Sequence, residues 1–263
     1  MKSPTSHVKC TAVETLPTLV LVPCFSGAPW STNQQQAFSP LPVIATTMPE
    51  KLDDVERYAD ALAESIDSLE RYVVVGDSFG AAVALALAVR RPPGLMGLVL
   101  SGGFASDPLA SRFARVGSHI SAFMPGVLYK QLTLRIHAHM LSSPFDCNPD
   151  TEISWSERSS RELFLRSTSW SSYVARVRAA RQFDIRQSLH KIDVPTLVLS
   201  PSCDRLVAKE ATDPLINEIP DVTHVVLEGT GHMFRFSHTS RYAHAIRDFL
   251  EDHGMVVGNA LLS

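Results

Sequence analysis

Apolar residues along this chain follow two patterns, and the two patterns alternate. Short continuous apolar runs are typical of strands that are buried on both faces of a parallel sheet. Such runs occupy 19–22, 41–47, 72–75, 95–100, 196–200 and 224–228. Apolar residues that recur every three or four positions predict amphipathic helices. The clearest of these stretches lie at 51–70, 209–219 and 239–253.

The order of these elements predicts the fold class. Strands that alternate with helices argue for an α/β protein with a mostly parallel sheet, covered by helices on both faces. From 105 to 190 the strand pattern disappears, and scattered large apolar residues predict several short helices. We therefore expect one core, formed by 1–104 and 191–263, into which 105–190 is inserted as a helical lid. A weaker pattern at 7–13 predicts an additional edge strand.

Composition and charge exclude several classes of protein. With 45% hydrophobic and 19% charged residues, the chain is typical of a soluble globular protein. Its formal net charge of −3 gives no basic footprint for nucleic acid. No apolar stretch approaches the roughly 18 residues of a membrane span, and the N-terminal stretch lacks the apolar part of a secretory signal. The four cysteines, at positions 10, 24, 147 and 203, have no metal-ligand spacing, so we expect free thiols in the cytoplasm.

A glycine-flanked serine follows the third apolar run. The sequence Gly-Asp-Ser-Phe-Gly at 76–80 lies between a valine-rich strand and an alanine-rich helix. A G-x-S-x-G turn in that setting holds the serine hydroxyl above the sheet, at the N-terminus of the next helix. Glycines flank the serine because side chains there would collide with neighbouring backbone. The pattern predicts that Ser78 is a nucleophile, and the alternative is an ordinary strand-to-helix turn.

Two later loops supply the partners that such a serine needs. A serine hydroxyl is a poor nucleophile at neutral pH, so it needs a base, and the base needs a carboxylate that orients it. After a nucleophile of this kind the acid comes next and the histidine last, each beyond a later strand. Asp204 follows the strand predicted at 196–200, and His232 follows the strand at 224–228. The predicted catalytic residues are therefore Ser78, Asp204 and His232.

Other acidic residues and histidines compete for these roles. Asp107, just beyond the strand at 95–100, is the alternative acid. Asp77 should point away from the serine and have a structural role. His238 is the nearest rival base, but it looks like the start of a helix. Four further histidines are expected at the surface, namely His119, His137, His139 and His190.

Acyl transfer also needs hydrogen-bond donors for the substrate. Negative charge develops on the carbonyl oxygen, and two preorganised N–H groups typically stabilise it. The backbone N–H of Phe79, directly after the serine, is predicted to be one of them. The second is expected in the loop after the first central strand, from Phe25, with Cys24 as the alternative.

Over nearly its whole length the chain resembles the α/β-hydrolase superfamily. The resemblance rests on the motifs at 76–80, 201–207 and 231–233. The chain is similar to the small lidded serine carboxylesterases and to the carrier-protein methyl ester esterases of that superfamily. The resemblance implies a Ser-His-Asp hydrolase that uses no cofactor and no metal. Pro23 and Cys24 depart from the His-Gly pair that most relatives carry at the start of the oxyanion loop.

The predicted lid should form the roof of a substrate pocket. Its aromatic and methionine residues favour an acyl or aryl group in an apolar pocket. The candidate pocket residues are Cys24, Trp30, Phe123, Met124, Leu128 and Met233. From 105 to 190 the chain carries ten Arg and one Lys against seven Asp or Glu. This excess is either a solvated helix face or a surface that attracts an anionic partner, such as an acidic carrier protein or a CoA ester.

Three functions remain open at this point. The leading hypothesis is a carboxylesterase that cleaves small-molecule esters of short to medium acyl chains through an acyl-enzyme intermediate. The second is a thioesterase or methyl esterase acting on carrier-bound acyl chains, which the arginine excess favours. The third is a non-catalytic, ligand-binding relative, which the departure at 23–24 motivates.

Overall fold

In the computed structural model, which describes residues 16–109, 116, 123–147 and 151–256, six parallel strands form one central sheet. The strands are β1 (Thr18–Val22), β2 (Val43–Ala45), β3 (Tyr72–Asp77), β4 (Leu95–Ser101), β5 (Thr196–Pro201) and β6 (Val222–Leu227). Their spatial order is β2-β1-β3-β4-β5-β6, and every neighbouring pair is parallel. The predicted α/β class is confirmed. The edge strand predicted at 7–13 lies outside the described residues.

The apolar runs of the sequence supply two hydrophobic cores at once. All six residues of β3 are buried. Val73 and Val75 belong to one core, and Val74 belongs to the other. Alternate side chains of a strand point to opposite faces of a sheet, so consecutive valines reach both cores. This requires helices on both faces, which is the arrangement that is present.

Helices cover the sheet and connect its strands. The α-helices are α1 (Thr32–Gln36), α2 (Val55–Ile66), α3 (Phe79–Ala88), α4 (Gly126–Leu128), α5 (Leu134–Leu141), α6 (Glu157–Ser167), α7 (Trp170–Gln182), α8 (Lys209–Glu218), α9 (Phe234–Ser237) and α10 (Thr239–Asp252). A π-helical turn covers Tyr129–Thr133, and 3₁₀ segments cover Pro144–Cys147 and Arg186–Lys191. Helices α2, α3 and α8 pack on one face of the sheet, and α10 packs on the other.

The helix expected at 51–70 is shorter at both ends. It begins at Val55 because the Asp54 side chain caps it, accepting the N–H of Glu56 at 3.0 Å. Lys51 has a positive φ of 63°, which no helical residue adopts. The helix ends at Ile66.

Helices α4 to α7 lie between β4 and β5, and we call them the insertion helices. They contribute the apolar residues Leu134, Leu141, Phe164 and Tyr173 to a third, smaller core, which Met233 joins from the other side. This small core lies beside the loops that follow β1 and β6, so the insertion helices stand over one end of the sheet. Within the described residues, every helix is too short or too polar to span a lipid bilayer.

Candidate active site

Ser78 lies in the turn between β3 and α3, with a positive φ of 55°. This backbone conformation costs a serine on the order of 1–3 kcal/mol. The flanking glycines make room for the turn. A Cβ on Gly76 would lie 2.5 Å from the Gly80 carbonyl oxygen, and a Cβ on Gly80 would lie 2.5 Å from that of Pro23. The N–H of Ser78 donates to the carbonyl of Ser101 at 2.7 Å, which helps to hold the strained residue.

The structure brings the three predicted catalytic residues into one chain of hydrogen bonds. His232 Nε2 lies 2.9 Å from Ser78 Oγ, and His232 Nδ1 lies 2.7 Å from Asp204 Oδ2. The loops after β3, β5 and β6 therefore meet at this point. Asp204 Oδ1 also accepts the backbone N–H groups of Leu206 at 2.8 Å and Val207 at 3.0 Å, which fix the orientation of the carboxylate.

The charges around His232 favour its protonated form. Burial lowers the pKa of His232, but the charge and hydrogen bond of Asp204, with the charges of Asp77 and Asp146, outweigh burial and raise that pKa. Burial raises the pKa of Asp204, yet the charge and hydrogen bond of His232 and two backbone N–H groups hold it below its ordinary value. Asp204 therefore stays ionised and can stabilise the imidazolium that forms when His232 accepts a proton.

The loop at 24–27 lies beside the N-terminus of α3. The N–H of Gly27 donates to the Cys24 carbonyl at 2.9 Å, and Gly27 has a φ of 74°. The ring of Phe25 meets the ring of Phe79 edge to face at 5.7 Å. Phe79 begins α3, where helix geometry leaves its N–H without an intrahelical acceptor. The N–H of Phe25 donates to no backbone or side-chain acceptor in the described part of the chain.

Cys24, the residue that departs from the family pattern, packs against Ser26 and Arg235. Its thiol lies 3.3 Å from Ser26 Oγ and 3.8 Å from an Arg235 nitrogen. Only 7% of Cys24 is exposed, and that part lines the cavity described below. A sulfur atom therefore occupies a place at the floor of the site where a glycine would leave space.

A buried ion pair joins the serine turn to the histidine loop. Arg235 Nε donates to Asp77 Oδ2 at 2.7 Å, and Arg235 Nη1 donates to Gln34 Oε1 at 3.0 Å. The guanidinium also stacks over the rings of Trp30 and Phe236, at 4.2 and 4.0 Å from their centroids. Arg235 lies three residues after His232, and Asp77 directly precedes Ser78. The pair therefore ties the segments that carry Ser78 and His232 to each other.

A cavity of about 570 Å³ opens above Ser78. The side chains that line it are mostly apolar and come both from the loops at the sheet end and from the insertion helices. Three predicted pocket residues line it, namely Cys24, Met124 and Met233. Residues that were not predicted include Phe104, Ile136, His137, Phe164, Tyr173 and Leu206. The lining is suited to an uncharged, apolar portion of a substrate.

The structure corrects the expected pocket positions of the other three residues. Trp30 is 2% exposed and belongs to the hydrophobic core between the sheet and α10. The centroid of its ring lies 6.1 Å from that of Phe38 and 5.7 Å from that of Tyr242. Phe123 is 88% exposed and Leu128 is 52% exposed, so neither faces the cavity. Aromatic or apolar character alone did not distinguish a pocket wall from a core or a surface.

His137 was expected at the surface, but it lines the cavity. Its ring packs 4.9 Å from the ring of Phe164, and its Nδ1 lies 3.2 Å from the Tyr173 hydroxyl. Burial, with the nearby charge of His232, lowers the pKa of His137 to about 4, so the side chain is neutral at physiological pH. Helical spacing with Leu134 and Leu141, both buried, is the sequence signal that indicates this position.

The remaining candidates lie elsewhere. His139 is exposed and pairs with Glu157, and His190 is also exposed, whereas residue 119 lies outside the described part of the chain. His238 Nδ1 lies 2.9 Å from the hydroxyl oxygen of the neighbouring Ser237. Asp107, the alternative acid, lies 3.7 Å from Arg181. The described residues hold no group of three or more His, Cys, Asp or Glu side chains arranged for a metal ion.

The carboxylate of Asp146 connects the insertion to the histidine loop. Asp146 is fully buried, and its Oδ1 accepts the hydroxyl of Ser237 at 2.8 Å. Its Oδ2 accepts the N–H of Ser143 at 3.2 Å. A Cβ on Gly231 would collide with Ser143 and with this carboxylate, so glycine is required directly before His232. The 3₁₀ segment Pro144–Cys147, which contains Asp146, is thereby held close against the loop that carries His232.

A known protein family matches most of this chain. The family described as serine aminopeptidase S33 matches residues 44–238, a region that contains Ser78, Asp204 and His232. The chain belongs to this family of α/β hydrolases. This membership confirms the α/β-hydrolase resemblance that the sequence motifs indicated.

Individual relatives are hydrolases, and several are esterases. A pimeloyl-[acyl-carrier protein] methyl ester esterase of Neisseria meningitidis serogroup C is 29% identical over 204 residues, 75% of this chain and 76% of the relative. A 2-hydroxy-6-oxononadienedioate/2-hydroxy-6-oxononatrienedioate hydrolase of Pseudomonas putida is 30% identical over 198 residues, 73% and 68% of the two chains. These relatives support an esterase-type hydrolytic activity for the present chain.

Solved structures show the same fold. A hydrolase from Pseudomonas aeruginosa PA01 superposes with a TM-score of 0.75 at 19% identity and covers 91% of each chain. A thermophilic esterase from Thermogutta terrifontis superposes with a TM-score of 0.71 at 21% identity and covers 90% of each chain. At these identities the likeness establishes the α/β-hydrolase fold alone.

Proposed function

We propose that this protein hydrolyses carboxylic esters of short to medium acyl chains through a Ser78–His232–Asp204 triad. The observation that carries the proposal is the hydrogen-bond chain from Ser78 Oγ through His232 to Asp204, with distances of 2.9 and 2.7 Å. It lies beneath a cavity whose lining is mostly apolar. A nucleophile, a base and an orienting acid at these separations are the arrangement that acyl transfer requires.

The reaction follows from the positions of these groups. His232 Nε2 takes the proton of Ser78 Oγ while that oxygen attacks the carbonyl carbon of the ester. The oxygen of the tetrahedral intermediate accepts hydrogen bonds from the backbone N–H groups of Phe25 and Phe79. His232 then gives its proton to the leaving alcohol, and an acyl-serine remains. A water molecule, deprotonated by His232, attacks the acyl-serine, and the acid is released with Ser78 restored.

The insertion helices are assigned the role of a lid. We place its limits at 105–190, with the catalytic core formed by 1–104 and 191–263. Met124, His137 and Tyr173 of this segment line the cavity, whereas the triad comes entirely from loops at strand ends. Chemistry is thereby assigned to the core and acyl selectivity to the lid. The free thiols of Cys24 and Cys203 support a cytoplasmic location.

Hydrolysis of 4-nitrophenyl esters, with acyl chains from two to twelve carbons, tests this proposal. We expect turnover by the wild-type protein, covalent labelling by a fluorophosphonate probe, and loss of both in Ser78→Ala. A folded wild-type protein that neither cleaves any of these esters nor takes up the probe would instead support a non-catalytic ligand-binding relative.

A second candidate function is the hydrolysis of an ester or thioester on an acyl chain that a carrier protein presents. Two observations favour it, namely the carrier-protein ester named for the Neisseria relative and the arginine excess of the lid. Arg135 is exposed, and within the described residues it forms no ion pair. Charge reversal at this position should lower kcat/KM for a carrier-bound ester at low salt and leave that for a free ester unchanged. Equal values of kcat/KM for free and carrier-bound esters would contradict the hypothesis that a carrier protein presents the substrate.

A further inference from the structure

Arg176 is a buried cation on α7 that reaches across to the oxyanion loop. It is 1% exposed, and it lies in the helix that also carries Tyr173. Its Nη1 donates to the carbonyl of Phe25 at 3.0 Å, and its Nη2 donates to the carbonyl of Pro49 at 3.3 Å. The guanidinium fills the space against Gly27, where a Cβ would come within 2.8 Å of Cζ.

This arginine fixes the backbone on both sides of the candidate oxyanion donor. Arg176 holds the carbonyl of Phe25 itself. The preceding carbonyl, that of Cys24, is held by the N–H of Gly27 at 2.9 Å. With both flanking peptide planes anchored, the direction of the Phe25 N–H is set as well. Thr168, also from the insertion helices, adds a hydrogen bond of 2.7 Å from its hydroxyl to the carbonyl of Ser26.

Within the described residues Arg176 forms no ion pair with Asp or Glu. Its hydrogen-bond partners are uncharged, namely the carbonyl oxygens of Phe25 and Pro49 and the side chain of Tyr58. Its Nε is buried and has no hydrogen-bond partner in the described part of the chain. A buried cation without a counter-charge is unfavourable in the resting protein. It becomes favourable when negative charge appears nearby in a site of low dielectric, which is what happens when the tetrahedral oxyanion forms.

We propose that Arg176 is a positioning residue of the oxyanion hole, which aligns the Phe25 N–H and offers its uncompensated charge to the negatively charged transition state. This inference rests on the proposed serine-esterase function. It makes the lid a working part of the catalytic centre, because the second oxyanion donor is in place only when α7 is docked on the loop at 24–27.

Three variants on one helix test the proposal. Arg176→Met removes the charge and the hydrogen bonds of the guanidinium but keeps much of the apolar volume. Arg176→Lys keeps the charge and loses the planar fork. Arg178→Met, two residues along on the exposed face of α7, removes one arginine from the same helix and is the matched control. Steady-state kinetics and the inhibition constant of an alkyl boronic acid, which forms a tetrahedral anionic adduct with a serine, are measured for each variant.

We expect Arg176→Met to lower kcat by about 10²-fold with KM unchanged, and to weaken boronate inhibition by about the same factor. Arg176→Lys should recover part of both effects, and Arg178→Met should match the wild-type protein. A rise in KM at unchanged kcat would make Arg176 a mere part of the pocket wall and would overturn the proposal. Unchanged kcat and unchanged inhibition would overturn it as well.

The test remains decisive if Arg176→Met fails to fold. Arg176→Lys and Thr168→Val then replace it, since each weakens the anchoring of the loop without leaving a buried gap of arginine size. A selective loss of kcat and of boronate affinity is expected from both, and normal values in both would contradict the inference. If the wild-type protein cleaved no ester, the proposed function would fail instead, a result that is distinct from an active wild-type protein with an active Arg176→Met variant.

Discussion

The two halves of the candidate site each bury one arginine, and the two arginines are held differently. Arg235, on the core side, is 2% exposed and pairs with Asp77 at 2.7 Å. Arg176, on the insertion side, is 1% exposed and is held by two carbonyl oxygens and the Tyr58 side chain, all of them uncharged. Burial lowers the pKa of Arg235, but Asp77 and other neighbours outweigh burial and raise it. The charge of Arg235 is thus neutralised by Asp77, whereas no carboxylate in the described part of the chain pairs with Arg176.

This difference gives the two arginines different roles: Arg235 holds the structure of the site, and Arg176 can interact with negative charge that develops on the substrate. A fully paired ion pair such as Arg235–Asp77 has no net charge to offer an oxyanion, and its role is to fix the spacing between the serine turn and the histidine loop. An unpaired cation gains a partner only during the reaction. The core half should therefore govern whether chemistry occurs at all and how stable the protein is, and the insertion half should govern the rate and the selectivity.

Removal of the nucleophile or the base should give the largest effect, because it eliminates the core contribution entirely. Ser78→Ala and His232→Ala should each lower kcat by about 10⁶-fold, and the double variant should be no worse than either alone, since these groups act as a unit. Ester hydrolysis measured with active-site-titrated protein checks this, with the exposed Ser68→Ala as the control. Additive losses in the double variant would show that the two residues act independently.

The acid should have a smaller but still severe effect. Asp204→Asn should lower kcat by about 10⁴-fold, because the imidazole loses the carboxylate that sets its tautomer and stabilises its charge. Asp107→Asn is the matched control, since Asp107 contacts Arg181 rather than His232. If Asp107→Asn were the inactive variant and Asp204→Asn retained activity, the assignment of the acid would have to be reversed.

The two arginines should differ in their contribution to stability. Arg235→Met leaves Asp77 buried without its partner, so it should lower the free energy of unfolding by about 3–5 kcal/mol. A second substitution, Asp77→Leu, should recover much of that loss. Arg176→Met leaves no carboxylate behind and should cost less stability. Urea unfolding of the wild-type protein, Arg235→Met, the Arg235→Met/Asp77→Leu double variant and Arg176→Met measures these free energies. Equal losses of unfolding free energy in Arg235→Met and Arg176→Met would show that the two arginines do not differ in this way.

The smallest effect concerns the two cavity histidines. His232 must be neutral to accept a proton, and its pKa is raised, so kcat/KM should fall with decreasing pH with a midpoint above about 6.5. His137, whose pKa is lowered to about 4, stays neutral across this range and should add no second step. His137→Gln should keep the midpoint within a few tenths of a pH unit. A midpoint below about 6, or one abolished in His137→Gln, would reverse the roles of the two residues.

Much of the core half could be predicted from the sequence. The strand runs and the turn at 76–80 are local patterns, and the order of Ser78, Asp204 and His232 along the chain follows from the strand ends at which they stand. The insertion half could not be predicted in the same way. Its short helices carry little periodicity, so Phe123 and Leu128 were expected in the pocket but are exposed.

Two kinds of information therefore contribute to this site. The sequence by itself determined the parallel α/β architecture and the three segments that carry the candidate triad, because periodicity and turn chemistry act over a few residues. Only the tertiary structure decided that His232 lies 2.9 Å from a serine 154 positions away, and that Arg176 anchors a loop 151 positions away. Those contacts depend on how distant elements pack, so no local pattern records that a buried arginine on one helix orients a backbone N–H on another segment.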